Sequence, residues 1–282
     1  MMAQTRYQFY RNATAKLTYA GTTFLLDPML SVKGALPSFA GVAPNPTVDL
    51  PDSADNIISG IDAVIVSHLH GDHFDGAAAD ALDKSLPVLT PRNGAPSDKS
   101  KPEELTPFVD SLLTAGFENV TEIASDASDQ ISFRGITISQ VFAQHGKGKL
   151  GKMMGGVNGL ILEADGHPTL YWAGDTILDE EGEVAAILQR HRPDLIIAHT
   201  GGPVIEALSP DLLLMDAGQA ARFVDLAFAA NPKVEIIAIH MEALDHCFST
   251  RVDLKQALGS LPDDKRSRVH IPADGDTLVF GG

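Results

Sequence analysis

A cluster of metal-binding residue types follows one short apolar run and limits how the surrounding chain can fold. Residues 63–66 are Ala-Val-Ile-Val, and residues 67–75 read Ser-His-Leu-His-Gly-Asp-His-Phe-Asp. The apolar run predicts a buried strand, and the polar segment predicts the turn that ends it. In a turn, Asp72 and His73 are able to face one ion while the two preceding histidines face another. Zinc takes imidazole and carboxylate ligands, so the segment predicts a metal site; a solvated histidine-rich turn is the alternative.

Three further candidate ligands also stand at the ends of strand-like runs. His145, Asp175 and His240 each close an apolar segment in the second half of the chain. Open α/β proteins place their sites at the carboxyl ends of strands. We therefore expect these three side chains to meet the histidine-rich turn.

The His-Leu-His-Gly-Asp-His sequence of residues 68–73 resembles the signature of the metallo-β-lactamase superfamily. In that family a later histidine, an aspartate that bridges the metals and a final histidine complete the site, and this chain has a candidate for each. The resemblance implies two divalent metal ions with the following ligands: His68, His70 and His145 for the first ion, Asp72, His73 and His240 for the second, and Asp175 between them.

Position 69 bears on the kind of metal chemistry. Members of the superfamily that reduce oxygen or nitric oxide at a di-iron centre carry a carboxylate ligand there, whereas this chain has Leu69. Leucine cannot bind a metal, so the resemblance implies a hydrolytic rather than a redox centre. Zinc is the favoured ion, and manganese and iron remain open because the carboxylates are hard oxygen donors.

The resemblance extends to the N-terminal part of the chain. A hairpin-like turn at residues 20–22 leads into Leu25-Leu26-Asp27-Pro28, which is most similar to the ascorbate-6-phosphate lactonase-like branch. An aspartate at the position of Asp27 supports the ligand turn in the family. The implied fold is α/β, a four-layer αβ/βα sandwich of the metallo-β-lactamase type, formed by residues 1–282 as a single domain.

The order of the predicted elements agrees with such a sandwich. Strand-like runs precede helix-like stretches once in each half of the chain, as expected for two sheets that pack face to face with helices outside. Helices are predicted over residues 102–116 and 213–230, and a strand over 130–143. Residues 28–60 and 91–101 are predicted to be loops, which in this family cover the metal site and select the substrate.

Charge and cysteine content limit the partners and the compartment. The chain has 37 acidic and 21 basic residues, a net charge of −16. An acidic surface repels phosphate backbones, so nucleic acid is not an expected partner. The single Cys247 excludes an intramolecular disulfide and fits a reducing compartment. No signal-type segment or membrane span is predicted, so we expect a cytoplasmic protein and leave homo-oligomer formation open.

Several residues near the ligands are candidates for contact with a substrate. His199 ends another strand-like run and is a candidate proton donor or substrate clamp, with a buried, hydrogen-bonded histidine as the alternative. His246 is a candidate substrate contact. A glycine-rich segment after the third ligand histidine carries three lysines, Lys147, Lys149 and Lys152. They would attract an anionic substrate; a mobile flap with solvated lysines is the other interpretation.

Together these residues predict an enzyme that hydrolyses an ester, lactone or phosphoester bond in a small, anionic substrate. The expected mechanism is attack by a metal-bridging hydroxide, with Asp72 accepting or relaying the proton. A phosphodiesterase that acts on a phospholipid or a cyclic nucleotide is the alternative among enzymes. A non-catalytic metal-bound binding or regulatory protein is the alternative of another class, and the complete ligand set argues against it.

Overall fold

Two β-sheets form the centre of the structure. The computed structural model describes residues 4–98, 100–124 and 130–281. The strands are β1 Thr5–Arg11, β2 Thr14–Tyr19, β3 Thr22–Leu26, β4 Ala63–Ile65, β5 Pro87–Pro91, β6 Gly94–Pro96, β7 Leu105–Pro107, β8 Asn119–Ile123, β9 Ile131–Phe133, β10 Ile136–Phe142, β11 Asn158–Glu163, β12 Leu170–Trp172, β13 Leu195–His199, β14 Glu235–Ile239, β15 Val269–His270 and β16 Thr277–Phe280. The helices are α1 Ala54–Ile58, α2 Gly76–Ala81, α3 Phe108–Thr114, α4 Gly148–Met154, α5 Glu183–His191, α6 Ala217–Ala230, α7 Arg251–Ala257 and α8 Asp263–Arg266.

The two large sheets have seven strands each and share one plan. The first has the order β16-β1-β2-β3-β4-β5-β8, and the second has the order β15-β14-β13-β12-β11-β10-β9. In each sheet one half is antiparallel and the other half, from β3 to β8 or from β12 to β15, is parallel. Each half of the chain thus forms one sheet, except that β16 returns to the first.

The strands of the parallel halves are buried on both faces. In β12, Leu170 and Trp172 belong to the core between the sheets, while Tyr171 belongs to the core beneath the helices. In β4, Ile65 faces the other sheet and Val64 faces outward. Successive side chains of a strand point to opposite faces, so a sheet covered on both sides needs the continuous apolar runs seen in the sequence.

Helices cover the outer face of each sheet. Helices α1, α2 and α3 contribute to the apolar core outside the first sheet, and α5, α6 and α7 contribute to the core outside the second. The layers therefore run helix, sheet, sheet, helix, which confirms the predicted four-layer αβ/βα sandwich. Among the described residues, the helices are too short or too polar to cross a bilayer.

Some predicted element bounds are wrong. The helix predicted over 102–116 begins only at Phe108, because Leu105–Pro107 forms a strand paired with β6. A residue that precedes a proline disfavours the helical conformation, and within the predicted helix Thr106 precedes Pro107. The strand predicted over 130–143 is divided by a turn at Arg134 and Gly135. The predicted loop 91–101 contains β6, and its Lys99 lies outside the described residues.

The sheet plan brings several strand ends to one rim of the sandwich. β3 is parallel to β4, and β12, β13 and β14 are parallel to one another. β10 runs in the same direction as β12 because both are antiparallel to β11. Polar residues stand at or just beyond the carboxyl ends of these strands: Asp27, His68, His145, Asp175, His199 and His240.

Candidate metal centre

The predicted ligands of both halves converge at the rim between the sheets. The donor atoms of one group lie within 4.8 Å of one another, and so do those of a second: His68, His70 and His145, and His73, Asp175, His199 and His240. Asp72 Oδ2 lies 3.4 Å from His240 Nε2 and 3.5 Å from His73 Nε2. Asp175 Oδ2 lies 3.3, 3.6 and 3.9 Å from the Nε2 atoms of His73, His145 and His68, so this carboxylate joins the two groups.

A buried carboxylate holds the histidine-rich turn in place. Asp27 Oδ1 accepts a hydrogen bond from the Ser67 backbone N–H at 2.7 Å, and Asp27 Oδ2 accepts one from the Ser67 hydroxyl at 2.6 Å. The same Oδ2 accepts from His73 Nδ1 at 2.6 Å. The Asn12 side chain donates to the Asp72 carbonyl at 2.9 Å. These bonds fix the backbone at both ends of the segment that carries the predicted ligands, and they fix the ring of His73.

Three histidines of the centre donate an outer ring nitrogen to an oxygen that only accepts. The bonds are His73 Nδ1 to Asp27 at 2.6 Å, His70 Nε2 to the Met154 carbonyl at 2.9 Å and His145 Nδ1 to the Leu213 carbonyl at 2.8 Å. Each of these nitrogens must carry the hydrogen. In the neutral ring the other nitrogen, which points into the centre, is then a bare lone pair, as a metal ligand requires.

The inner nitrogens face one another at short range. His68 Nε2 lies 3.0 Å from His70 Nδ1, and His73 Nε2 lies 3.1 Å from His240 Nε2. Burial, followed by the neighbouring His145, lowers the pKa of His70 to about 4, so this ring is neutral at pH 7. Lone pairs this close repel unless a cation or a proton lies between them. Together with two carboxylates, the nitrogen donors fit borderline divalent ions such as zinc.

The charges of the centre are strongly coupled. Burial alone would lower the pKa of His73, but the carboxylates of Asp175, Asp72 and Asp27 outweigh burial and raise this pKa well above its usual value. Burial alone would raise the pKa of Asp72 and of Asp175, but His73 and His240 outweigh it and lower both. Without a metal, His73 therefore holds a proton close to two ionised carboxylates, where the metal-bound centre would hold a cation.

His199 supports Asp175 through a hydrogen bond and has no ring nitrogen free to contact a substrate. Its Nδ1 donates to Asp175 Oδ1 at 2.6 Å, and its Nε2 accepts the indole N–H of Trp172 at 3.0 Å. Both ring nitrogens are occupied, and the side chain is fully buried. The interpretation of His199 as a proton donor or substrate clamp is therefore corrected: it is the buried, hydrogen-bonded histidine, and it orients the carboxylate of Asp175.

The final predicted ligand lies on a backbone in an unusual conformation. His240 has a φ of +66°, a region that L-residues rarely adopt, and its N–H donates to the Asn12 carbonyl at 3.0 Å. A Cβ placed on Gly201 would lie 1.9 Å from the His240 carbonyl oxygen, so only glycine fits there. Cys247 Sγ lies 3.7 Å from His240 Nδ1, and burial raises the pKa of this thiol, so the thiol is a weak partner for the ligand.

A small pocket opens directly onto the centre. Its volume is about 150 Å³. Its polar lining comes from four of the candidate ligands and from His246, and its apolar lining comes from two loops and helix α4: Phe39, Met154, Ile205 and Leu213. His246, a predicted substrate contact, is one of the residues that line this pocket. A metal centre faced by an apolar wall suits a reaction that proceeds away from bulk water.

The three lysines after His145 do not line this pocket. Lys147 forms an ion pair with Glu180 at the surface, and Lys149 and Lys152 are exposed. The segment itself is anchored, because helix α4 delivers the Met154 carbonyl to His70 and the Gly156 N–H bonds to the Gly94 carbonyl at 2.8 Å. Attraction of an anionic substrate by these lysines therefore has no support in their positions.

Sequence reasoning missed several residues that shape the site. Ser67 and Trp172 carry hydrogen bonds to Asp27 and His199, and Phe39 forms a wall of the pocket. Ser67 and Trp172 stand next to predicted ligands or within predicted strands, which is a usable signal. Phe39 lies in a predicted loop, and nothing in its local sequence indicates where that loop folds.

Comparison with known proteins agrees with this geometry. The family model described as a beta-lactamase superfamily domain matches residues 22–241. The UPF0173 protein YddR of Bacillus subtilis (strain 168) is 34% identical over 275 residues, which are 96% of this chain and 98% of that protein.

Two solved structures are similar over nearly their whole length. A protein of Veillonella parvula DSM 2008, described as a possible metal-dependent hydrolase, has a TM-score of 0.82 at 32% identity, and the match covers 98% of this chain and 99% of that one. An isothiocyanate hydrolase from Delia radicum gut bacteria has a TM-score of 0.80 at 31% identity, with the same coverage. With its buried histidine and aspartate cluster at the rim of an αβ/βα sandwich, the chain belongs to the metal-dependent hydrolases of the metallo-β-lactamase superfamily.

Proposed function

We propose that the chain is a dinuclear hydrolase that adds water to an electrophilic carbon of a small, neutral substrate with a compact apolar group. The observation that carries the proposal is the composition of the pocket. Asp72, His145 and Asp175 line the same cavity as Phe39 and Leu213, so the cavity suits a substrate that places an apolar group beside the bond to be hydrolysed.

Seven residues would hold two divalent ions, with zinc favoured. His68, His70 and His145 would hold the first, Asp72, His73 and His240 the second, and Asp175 would lie between them; the distances among these groups support this division. Two bound ions supply Lewis acidity and an activated water at neutral pH. The hydrogen bond from His73 to Asp27 orients the His73 ring, and the hydrogen bond from His199 orients the Asp175 carboxylate.

Asp72 is the residue that we assign to proton transfer. Its side chain is nearly buried but lines the pocket. The lowered pKa keeps this carboxylate ionised at neutral pH, so it is able to accept a hydrogen bond from a water molecule that enters the cavity. A carboxylate of low basicity relays a proton onward and does not retain it.

The substrate is neutral in this proposal, which replaces the anionic substrate expected from the lysines. Among the described residues, the pocket lining includes histidines and aspartates but no lysine or arginine. An isothiocyanate is a neutral compound with an electrophilic carbon, and its hydrolysis balances as R–N=C=S + H₂O → R–NH₂ + O=C=S. The 31% identity to an isothiocyanate hydrolase makes this the first class to test. A neutral ester or lactone undergoes the same attack at carbon.

The test is elemental analysis of protein purified without added metal, combined with a substrate panel. The panel contains benzyl isothiocyanate, 4-nitrophenyl acetate, a γ-lactone and bis(4-nitrophenyl) phosphate. We expect about two ions per chain and turnover of a neutral compound, which the Asp72→Asn variant loses. Turnover of the phosphate diester alone would favour a phosphodiesterase. Two ions without any turnover would favour a binding or regulatory protein.

A further inference from the structure

One carboxylate collects hydrogen bonds from most of one loop above the pocket. We call residues 38–45 the roof loop. Asp245, only 8% exposed, accepts from six groups of this loop: the Ser38 hydroxyl, the Phe39, Ala40, Val42 and Ala43 backbone N–H groups at 3.0–3.3 Å and the Asn45 side chain at 2.9 Å. In return, the Asp245 N–H donates to Asn45 Oδ1 at 2.8 Å across 200 residues of sequence.

The negative charge of Asp245 is what this arrangement requires. Burial alone would raise its pKa, but the hydrogen bonds from Ser38, Asn45 and the backbone of the roof loop lower the pKa well below its usual range. Successive backbone N–H groups that point at one anion form a nest. An asparagine here would turn an N–H toward other N–H groups, so the isosteric amide cannot replace the carboxylate.

The anchored loop and the residue after the anchor form two sides of the pocket. Phe39 belongs to the roof loop, and His246 follows Asp245 directly; both line the pocket. Their rings pack edge to face with centroids 5.1 Å apart. His246 Nδ1 is buried and has no hydrogen-bond partner among the described residues, so the wall combines an aromatic face with one unsatisfied polar atom.

We propose that Asp245 is a positioning residue for substrate: it fixes Phe39 against His246, and this aromatic pair selects the apolar group of the substrate. The pocket volume of about 150 Å³ is of the same order as that of a cavity that takes up benzene, so a group no larger than a phenyl ring is the one to test. The proposal deepens the proposed function and rests on it for its substrate class.

The main test measures selectivity on the metal-loaded protein. Methyl, butyl and benzyl members of the substrate class found active are compared for Asp245→Asn, Phe39→Ala and the double variant. We expect Asp245→Asn to raise KM for the benzyl compound about tenfold and to leave the methyl compound and the metal content unchanged. In the Phe39→Ala background the same substitution should have no further effect, because Asp245 acts through Phe39.

Two controls separate positioning from general damage. Asp194→Asn removes a carboxylate that likewise accepts from a backbone N–H and an asparagine amide, at the opposite end of β13, and it should not change selectivity. Ser38→Ala removes one donor to Asp245 and should shift KM in the same direction by less, which tests the proposal even where Asp245→Asn does not fold. An equal rise in KM for all three compounds, or a loss of metal, would overturn the proposal.

A spectroscopic test does not depend on turnover. Because the Phe39 and His246 rings pack edge to face, we expect the Phe39 ring to shift the NMR signals of the His246 ring protons in zinc-loaded protein, and we expect Asp245→Asn or Ser38→Ala to reduce that shift. If the shift changes but no substrate of the panel is turned over, the proposed function fails while the anchoring role stands. An unchanged shift in both variants contradicts the anchoring role itself.

Discussion

At the scale of single residues, the histidines of the centre fall into two groups according to the hydrogen-bond partners of their two ring nitrogens. His70 and His145 each donate one nitrogen to a backbone carbonyl and leave the other for a metal. In His199 both nitrogens are engaged, by Trp172 and by Asp175. The type of residue predicts a functional histidine in all three cases, but only the partners decide between ligand and support.

Replacing His199 with alanine should weaken metal binding and leave substrate binding alone. The carboxylate of Asp175 would lose its buried donor, and loss of such an outer partner costs about 10–100-fold in metal affinity or activity. Metal affinity by chelator competition, and KM at saturating metal, are the two measurements. His191→Ala, at the end of α5, is the control. A higher KM at full metal occupancy would restore His199 as a substrate residue.

At the scale of elements, helix α4 turns its lysines outward and its apolar residues inward. Lys147 precedes the helix and pairs with Glu180, while Leu150 and Met154 are buried. The charge pattern of the segment therefore describes its solvent face, and its contribution to the site is a backbone carbonyl and a methionine.

Replacing Lys147, Lys149 and Lys152 together with glutamine should leave KM unchanged. The reason is that these side chains do not line the pocket and that a neutral substrate gains nothing from a positive surface. KM measured at low and high salt, where surface charges are screened differently, checks this. A KM that rises, together with a weaker salt dependence, would return the substrate to the anionic class.

The loop after β13 is a second element that constrains the site, because it requires glycine at position 201. Gly201→Ala would push a Cβ against the backbone oxygen of His240, so we expect a displaced ligand, reduced metal content and a lower melting temperature. Gly218→Ala, in the first turn of α6, meets only a side-chain oxygen at 3.5 Å and should be neutral or slightly stabilising. Normal metal content in Gly201→Ala would show that this backbone contact relaxes easily.

The sequence predicted the ligand cluster better than the walls around it. A short apolar run that ends in histidine or aspartate indicates a buried strand and also marks the end of that strand. Residues such as Asp175 and His240 could therefore be predicted to lie at the rim of the sandwich. Phe39 and Asp245 could not be assigned in this way, because their roles depend on hydrogen bonds between segments about 200 residues apart. Local patterns carry no information about such pairs.

At the scale of the whole molecule, the buried histidines make the stability of the metal-free protein depend on pH. Burial lowers the pKa of His70 and of His246 to about 4, below the value of 6.5 in the unfolded chain. Between these two values the unfolded state binds more protons than the folded state, so stability falls as the pH falls. His73, with its raised pKa, has the opposite sign: the folded protein keeps this proton while the unfolded chain takes one up as the pH falls through 6.5, so His73 offsets part of the loss between pH 7 and 6 and adds nothing well below that value.

Denaturant unfolding of chelator-treated protein at pH 7, 6 and 5 checks this expectation. The free energy of unfolding should decrease toward pH 5, by up to about 1.4 kcal/mol per pH unit for each such histidine. His246→Phe should make the dependence shallower. A free energy that stays constant or rises toward pH 5 would mean that these rings are protonated in the folded protein.

The distribution of the proposed ligands over two sheets would also govern when the protein can acquire metal ions. The first set combines His68 and His70 of the N-terminal half with His145 of the other, and in the second set His73 and His240 are 167 residues apart. During synthesis on the ribosome, the early histidines emerge long before their partners exist. Metal loading would therefore be a late event in biogenesis, and it would require that the two halves of the sandwich have already packed together.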